Sequence, residues 1–196
     1  TETERALSYA RDVMHRSDAT ADQVARGIAR LRAMHQADPC SAASIAEMRR
    51  IDVSSSYIQT IGRVVGDRLV CSSMGTHVPA LRLGPVELTT SRRTRLRSNV
   101  ELPFAPGTRF IVIERDGYAA VIHKDLPIDV ATPGADVALA TFALDGRRVL
   151  TSRGRVDPAW IARLGKANQA TFNDGGHVVA VVKSRRYLTG TLGNVI

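Results

Sequence analysis

The chain has 196 residues, 44% of them hydrophobic, which suffices for a substantial core without metals or several crosslinks. No run reaches the roughly 18 consecutive apolar residues that cross a bilayer, and no basic start leads into a short apolar run as a signal peptide does. The formal charge of +8, from 27 Lys+Arg against 19 Asp+Glu, attracts phosphates in general. The most basic segment, 91–97, has no aromatic to stack a base and belongs to no nucleic-acid motif, so it reads as a solvated face and no nucleic-acid partner is expected.

The first residue is Thr1 rather than Met, so a trimmed or processed piece of a longer protein is expected. From residue 3 to about 35 the apolar residues Ala6, Ala10, Val13, Met14, Val24, Ile28, Leu31 and Met34 recur at mostly three- and four-residue steps. That period predicts one long amphipathic helix, since Ala and Arg on both sides outweigh a break at Ser17-Asp18-Ala19-Thr20. Asp38-Pro39 stops it, because the residue before proline is pushed out of the α region. Ser41 or Ser44 then caps a short helix through Met48 to Ile51.

After Ser54-Ser55-Ser56 the pattern turns to strands: 57–64 and 68–71 are joined through Gly66-Asp67 as a hairpin. Residues 75–108, rich in Gly, Pro, Thr and Arg without a period, read as a long loop with short extended pieces near 86–88 and 96–102. Two further hairpins are expected around Asp116-Gly117 (109–114 with 118–123) and Asp145-Gly146 (138–144 with 147–151). Asp157-Pro158 starts a short helix, and the last strands are placed at 177–182 and 187–192. A long helix, a short helix and hairpin-connected strands imply α+β architecture with a mainly antiparallel sheet. No 20–50-residue period is visible, so a single domain is the simplest reading, with residues 1–36 as a leading helix and 40–196 as an α+β core.

Cys40 and Cys71 are the only cysteines. A short helix and a returning strand between them can bring their Cα atoms within disulfide range, so the spacing permits a bond. Closing that loop removes denatured-state entropy worth about 3 to 4 kcal/mol. A structural zinc site from His35, Cys40, Cys71 and His77 has the right ligand types but atypical spacings. Neither cysteine lies in Cys-x-x-Cys or beside an activating histidine. His15 and His123 read as ordinary solvated or hydrogen-bonded histidines. No nucleotide-binding glycine motif, acid/base dyad or Glu-Ala-Leu tripeptide stands out, so no cofactor, metal or catalytic residue is assigned.

The run Pro39-Cys40-Ser41 through Arg49-Arg50, then Tyr57 to Ile61, then Arg68-Leu69-Val70-Cys71-Ser72-Ser73, resembles the CSS-motif domain of membrane-bound, EAL-type cyclic di-GMP phosphodiesterases. Gly117 to Ile122 and the closing strands are similar as well. The resemblance implies a PAS-like sensor domain in the periplasm, lying between two helices of an inner-membrane protein, with the hydrolase on the cytoplasmic side. It implies Cys40 and Cys71 as a redox pair that regulates the attached enzyme, with Ser72 and Ser73 completing the motif. The partners it implies are a periplasmic disulfide oxidase system, the flanking membrane helices and a second copy through the N-terminal helix. A small-molecule receptor, with 75–108 as its lid, is the alternative from a different class.

Overall fold

A computed structural model describes residues 1–90, 92–130, 137–143 and 148–184, and the backbone of 193–195. Helix α1 spans Glu2–Ala33 without interruption, with Glu2 and Glu4 in its first turn and Arg30 and Arg32 in its last, each complementing the helix dipole. His35, at φ 49°, takes the chain out of the helix, and the Asp38 carboxylate accepts the Cys40 amide at 2.9 Å. Helix α2, Ala42–Val53, is capped by Ser41, whose side chain accepts from the Ser44 amide.

Strands β1 (Ile58–Val65), β2 (Arg68–Ser72), β3 (Gly75–Arg82), β4 (Leu88–Thr89), β5 (Arg95–Val100), β6 (Phe110–Arg115) and β7 (Tyr118–His123) follow. Next come a 3-10 turn at Leu126–Ile128, strands β8 (Leu139–Phe142) and β9 (Val149–Arg153), a 3-10 helix at Pro158–Leu164, and strands β10 (Gln169–Asp174), β11 (His177–Lys183) and β12 (Gly193–Val195). Each paired strand runs antiparallel to its neighbour.

The strands form two sheets, β3-β2-β1-β7-β6-β5-β4 and β10-β11-β12-β8-β9. Where one sheet was expected there are two, and the chain divides into two compact units: Thr20–Lys124, and Thr1–Ala19 together with Asp125–Ile196. The order β2-β1-β7-β6-β5 in the first sheet is repeated by β9-β8-β12-β11-β10 in the second. Both are 2-1-5-4-3 when numbered from their own first strand. The PAS-like topology therefore occurs twice, with β3 and β4 added to the first copy.

In the unit Thr20–Lys124, one sheet face is closed by Val64, Leu69, Leu83, Leu102, Phe110 and Val121. Elsewhere in this unit, α1 approaches α2 and β1 so closely that a Cβ on Gly27 would lie 3.0 Å from Ile51 and 3.1 Å from Ile61. In the other unit, Ala6, Ala10 and Val13 pack with Ile128, Leu139 and Ala180. A second cluster there joins Phe142, Val179 and Val181 to Leu164 of the 3-10 helix, which opens on the Asp157 side-chain cap.

Three expectations change. The stretch 75–108 contains strand β3 and the β4–β5 hairpin rather than a long loop; Gly75 and Pro79 weakened the strand signal, and pairing with β2 forms it. Strand β10 was missed, and the short helix after Asp157 is of the 3-10 type. The Asp145-Gly146 turn and the strand placed at 187–192 lie outside the described residues.

Candidate functional site: the Cys40–Cys71 bridge and its serines

Cys71 is fully buried in β2; Cys40 lies in the connector, immediately before the N-cap of α2. Their sulfurs are joined, with Cα atoms 5.8 Å apart, and Cys71 Sγ lies 3.8 Å from Pro39 O. While joined, the sulfurs offer no thiolate to a metal. His77 is engaged elsewhere, its Nε2 lying 2.8 Å from Ser72 Oγ.

The bond does not tie down α1 directly, since α1 ends at Ala33. Other contacts hold that part of α1: Val24, Ile28 and Leu31 are buried, and Gln23 Oε1 accepts from Ser55 Oγ at 2.5 Å and from the Tyr57 amide at 3.1 Å. Arg32 pairs with Asp116 at 2.8 Å. The covalent link therefore closes the connector and the start of α2 onto β2.

Gly62 lets β1 pass close beside the strand that carries the buried cysteine. It stands opposite Ser72 in the β1–β2 ladder, and a Cβ there would lie 2.1 Å from Cys71 O and 2.8 Å from Ser72 Cα.

The two motif serines divide their tasks. Ser72 Oγ accepts the Met74 amide at 3.1 Å and meets His77, shaping the β2–β3 turn. Ser73 is buried between sheet and helix: its hydroxyl donates to Asp52 Oδ2 at 2.9 Å and lies 2.6 Å from Thr60 Oγ1. Its amide donates to Ile61 O at 3.0 Å, and its carbonyl accepts Arg49 Nε at 2.9 Å. Burial pushes the Asp52 carboxyl above the usual range, against the opposing pull of the Ser73 hydrogen bond. Burial likewise pushes the His77 imidazole below its ordinary value. Glu47 of α2 is held low chiefly by its hydrogen bond to Arg50, and it also pairs with Arg30 of α1.

Sequence reading paired the cysteines through the resemblance, quoted Arg49 only as part of the matching run, and missed Asp52 and Thr60. An acidic residue near a helix end and a threonine in a strand carry no signal of their own; only the fold brings them to Ser73.

The basic segment also departs from expectation. Arg97 is 1% exposed. Its Nη1 donates to Glu114 at 2.7 Å, its Nη2 to Asp67 at 2.9 Å and its Nε to Gly84 O at 2.9 Å. It is a buried structural arginine rather than part of a solvated face, because paired charges tolerate burial that lone ones do not.

Two antiparallel sheets of the same PAS-like strand order, one of them carrying a disulfide beside a helix connector, define an α+β fold with a repeated topology. The chain belongs to the family described as the CSS motif domain associated with EAL, which matches residues 2–188. A comparison with curated proteins found no match. Among solved structures, an extracellular ligand binding receptor from Desulfohalobium retbaense shares the fold, with a TM-score of 0.57 and 10% identity over 96% of this chain. That alignment covers 38% of the receptor, so the chain spans well under half its length. The ligand-binding domain of the Campylobacter jejuni chemoreceptor Tlp3, in complex with 4-methylisoleucine, aligns over 100% of this chain and 90% of its own, with a TM-score of 0.43 and 10% identity.

Proposed function

We propose that this chain is the periplasmic sensory domain of an inner-membrane, EAL-type cyclic di-GMP phosphodiesterase, and that the Cys40–Cys71 bond is its redox-responsive element. The observation that carries the reading is the position of the bond: it fastens the connector between α1 and α2 to a buried strand, with Cα atoms 5.8 Å apart. Such bonds persist in oxidising compartments such as the bacterial periplasm, where a dedicated oxidase system forms them. The family's association with EAL supports a hydrolase elsewhere in the parent protein.

On this reading reduction unties the connector between α1 and α2 from β2 while α2 stays seated on the sheet, which changes the support of the α1 end; the flanking membrane helices, and a second copy paired through α1, carry the change inward. The test is cyclic di-GMP hydrolysis by membranes containing the parent protein, with and without dithiothreitol. The expected result is a rise in the wild type on reduction, and a Cys40→Ser variant that is already high and indifferent to reductant. Equal activity in all four samples refutes redox control.

A second reading, a small-molecule receptor, is favoured by the fold shared with the extracellular receptor. An open groove of about 490 Å³ lined by Ala29, Leu31, Arg32, His35, Gln36 and Tyr118 is its candidate site. A thermal-shift screen of small anions and metabolites separates the two: a ligand that raises the melting temperature of the wild type but not of Arg32→Ala supports the receptor.

A further inference from the structure

We infer that Ser73 is the positioning residue of the disulfide, holding the far end of α2 on the sheet in either oxidation state and so keeping the two sulfurs in register after reduction. The inference deepens the redox reading and rests on it for its biological meaning.

Helix α2 has 12 residues, a rod of about 18 Å. Its two ends are fastened by different chemistry. At the start, Cys40 is bonded to Cys71. At the end, Asp52 accepts the Ser73 hydroxyl at 2.9 Å, and Arg49 donates to the Ser73 carbonyl at 2.9 Å. Asp52 and Arg49 are three positions apart, hence on one face of the helix. Two bonds to one residue from adjacent turns fix the rotation of the rod about its own axis as well as its position.

Ser73 is itself immobilised, through Thr60 Oγ1 at 2.6 Å and the Ile61 carbonyl at 3.0 Å, and it lies two residues beyond Cys71. With the covalent end cut, the pinned end and buried Met48 and Ile51 leave the rod in place, and the untied Cys40, one residue before the α2 cap, stays within reach of Cys71. The bond then re-forms as an intramolecular step with a high effective concentration. Ser72 touches no residue of α2 through its hydroxyl, which bonds the Met74 amide and His77, and it serves as the internal control.

The test equilibrates the folded chain with graded mixtures of reduced and oxidised dithiothreitol. Reduction breaks the Cys40–Cys71 bond, forms the cyclic dithiothreitol disulfide and moves two electrons and two protons to the protein sulfurs. Alkylation and mass spectrometry then give the ratio of oxidised to reduced chain. A substitution that merely weakens the fold lowers both oxidation states alike and leaves that ratio unchanged.

Ser73→Ala is expected to lower the effective thiol concentration about tenfold, making the pair easier to reduce by about 30 mV. Asp52→Ala, at a less buried position, is expected to act in the same direction and carries the test if Ser73→Ala does not fold. Asp52→Asn, which keeps an acceptor for the Ser73 hydroxyl, and Ser72→Ala should both stay within about twofold of wild type. Wild-type ratios in both Ser73→Ala and Asp52→Ala overturn the inference. That outcome leaves redox control of the parent enzyme standing, because the ratio is read on this chain without reference to hydrolase output.

Discussion

Replacing Cys40 isolates the thermodynamic effect of the crosslink better than replacing Cys71. Cys71 is fully buried, so substituting it removes packing together with the bond, whereas Cys40 lies in the half-exposed connector. The sequence separation is 31. In the chain-entropy account the closed loop lowers the entropy of the unfolded chain by about 12 cal/mol/K, or about 3.7 kcal/mol at 25 °C. Cys40→Ser should therefore lose about 3 to 4 kcal/mol against the oxidised wild type. The reduced wild type should lose a similar amount, since no side chain has been cut away in it. Urea unfolding followed by far-UV circular dichroism is the assay, because Trp160, the one tryptophan, lies in the unit that does not contain the bond. The slope against urea should rise as well, because an uncrosslinked unfolded chain exposes more surface. A loss below about 1 kcal/mol, in both Cys40→Ser and the reduced wild type, refutes the assignment of this bond as a main stabiliser of its unit.

Gly62→Ala should be among the most damaging single changes, since its Cβ meets backbone at 2.1 Å and neither ladder strand can yield; a loss of about 2 to 5 kcal/mol in the same assay is expected. Arg97→Ala leaves Glu114, itself almost fully buried, with Arg95 at 3.1 Å as its remaining ion-pair partner and opens a cavity beside it, and should cost about 2 to 4 kcal/mol, whereas Arg97→Met, which fills the space, combined with Glu114→Gln should recover much of that. The raised Asp52 carboxyl means that the folded state holds a proton to higher pH than the unfolded chain does. Stability from this residue is therefore greatest below the ordinary carboxylate value and falls as pH rises through the folded-state value. Asp52→Asn should flatten that part of the stability profile between pH 3 and 7 and match or exceed wild type at pH 7. The lowered His77 imidazole has the opposite sign: its contribution is present above the ordinary imidazole value and is lost as pH falls through the lower folded-state value, so the His77 chemical shifts should titrate below the ordinary imidazole range.

Local chemistry explains which parts of this architecture could be read in advance. The period of α1, the Asp38-Pro39 stop, the Ser41 cap, the Asp116-Gly117 hairpin and the Asp157-Pro158 helix start each act within a few residues, so each leaves its mark in sequence. Strands β3 and β10 do not. Gly75-Thr76-His77-Val78-Pro79 and Gln169-Ala170-Thr171-Phe172-Asn173-Asp174 have weak strand preference and become strands because β2 and β11 offer a ladder. The buried Arg97 belongs with them: four arginines between 92 and 97 look like a charged surface until β6 brings Glu114 beneath one of them.

The doubled strand order shows why topology can repeat without a repeated sequence. The first copy begins on β1 and inserts β3 and β4 before its third strand, while the second begins on β8 and inserts a 3-10 helix at the equivalent place. The spacing between corresponding strands therefore differs, and no fixed period survives to be detected. The candidate site has the same character. Two cysteines and two serines form a short, readable signature, but what the second serine does depends on Asp52 of α2 and Thr60 of β1, 21 and 13 positions away. The covalent half of the site is thus written in adjacent letters, and the non-covalent half exists only once the helix has been laid on the sheet. Since hydrogen bonds of this kind contribute about 1 kcal/mol each and the crosslink several times that, the crosslink dominates while it is closed, and the noncovalent half, present in both states, holds α2 alone when the bond is open.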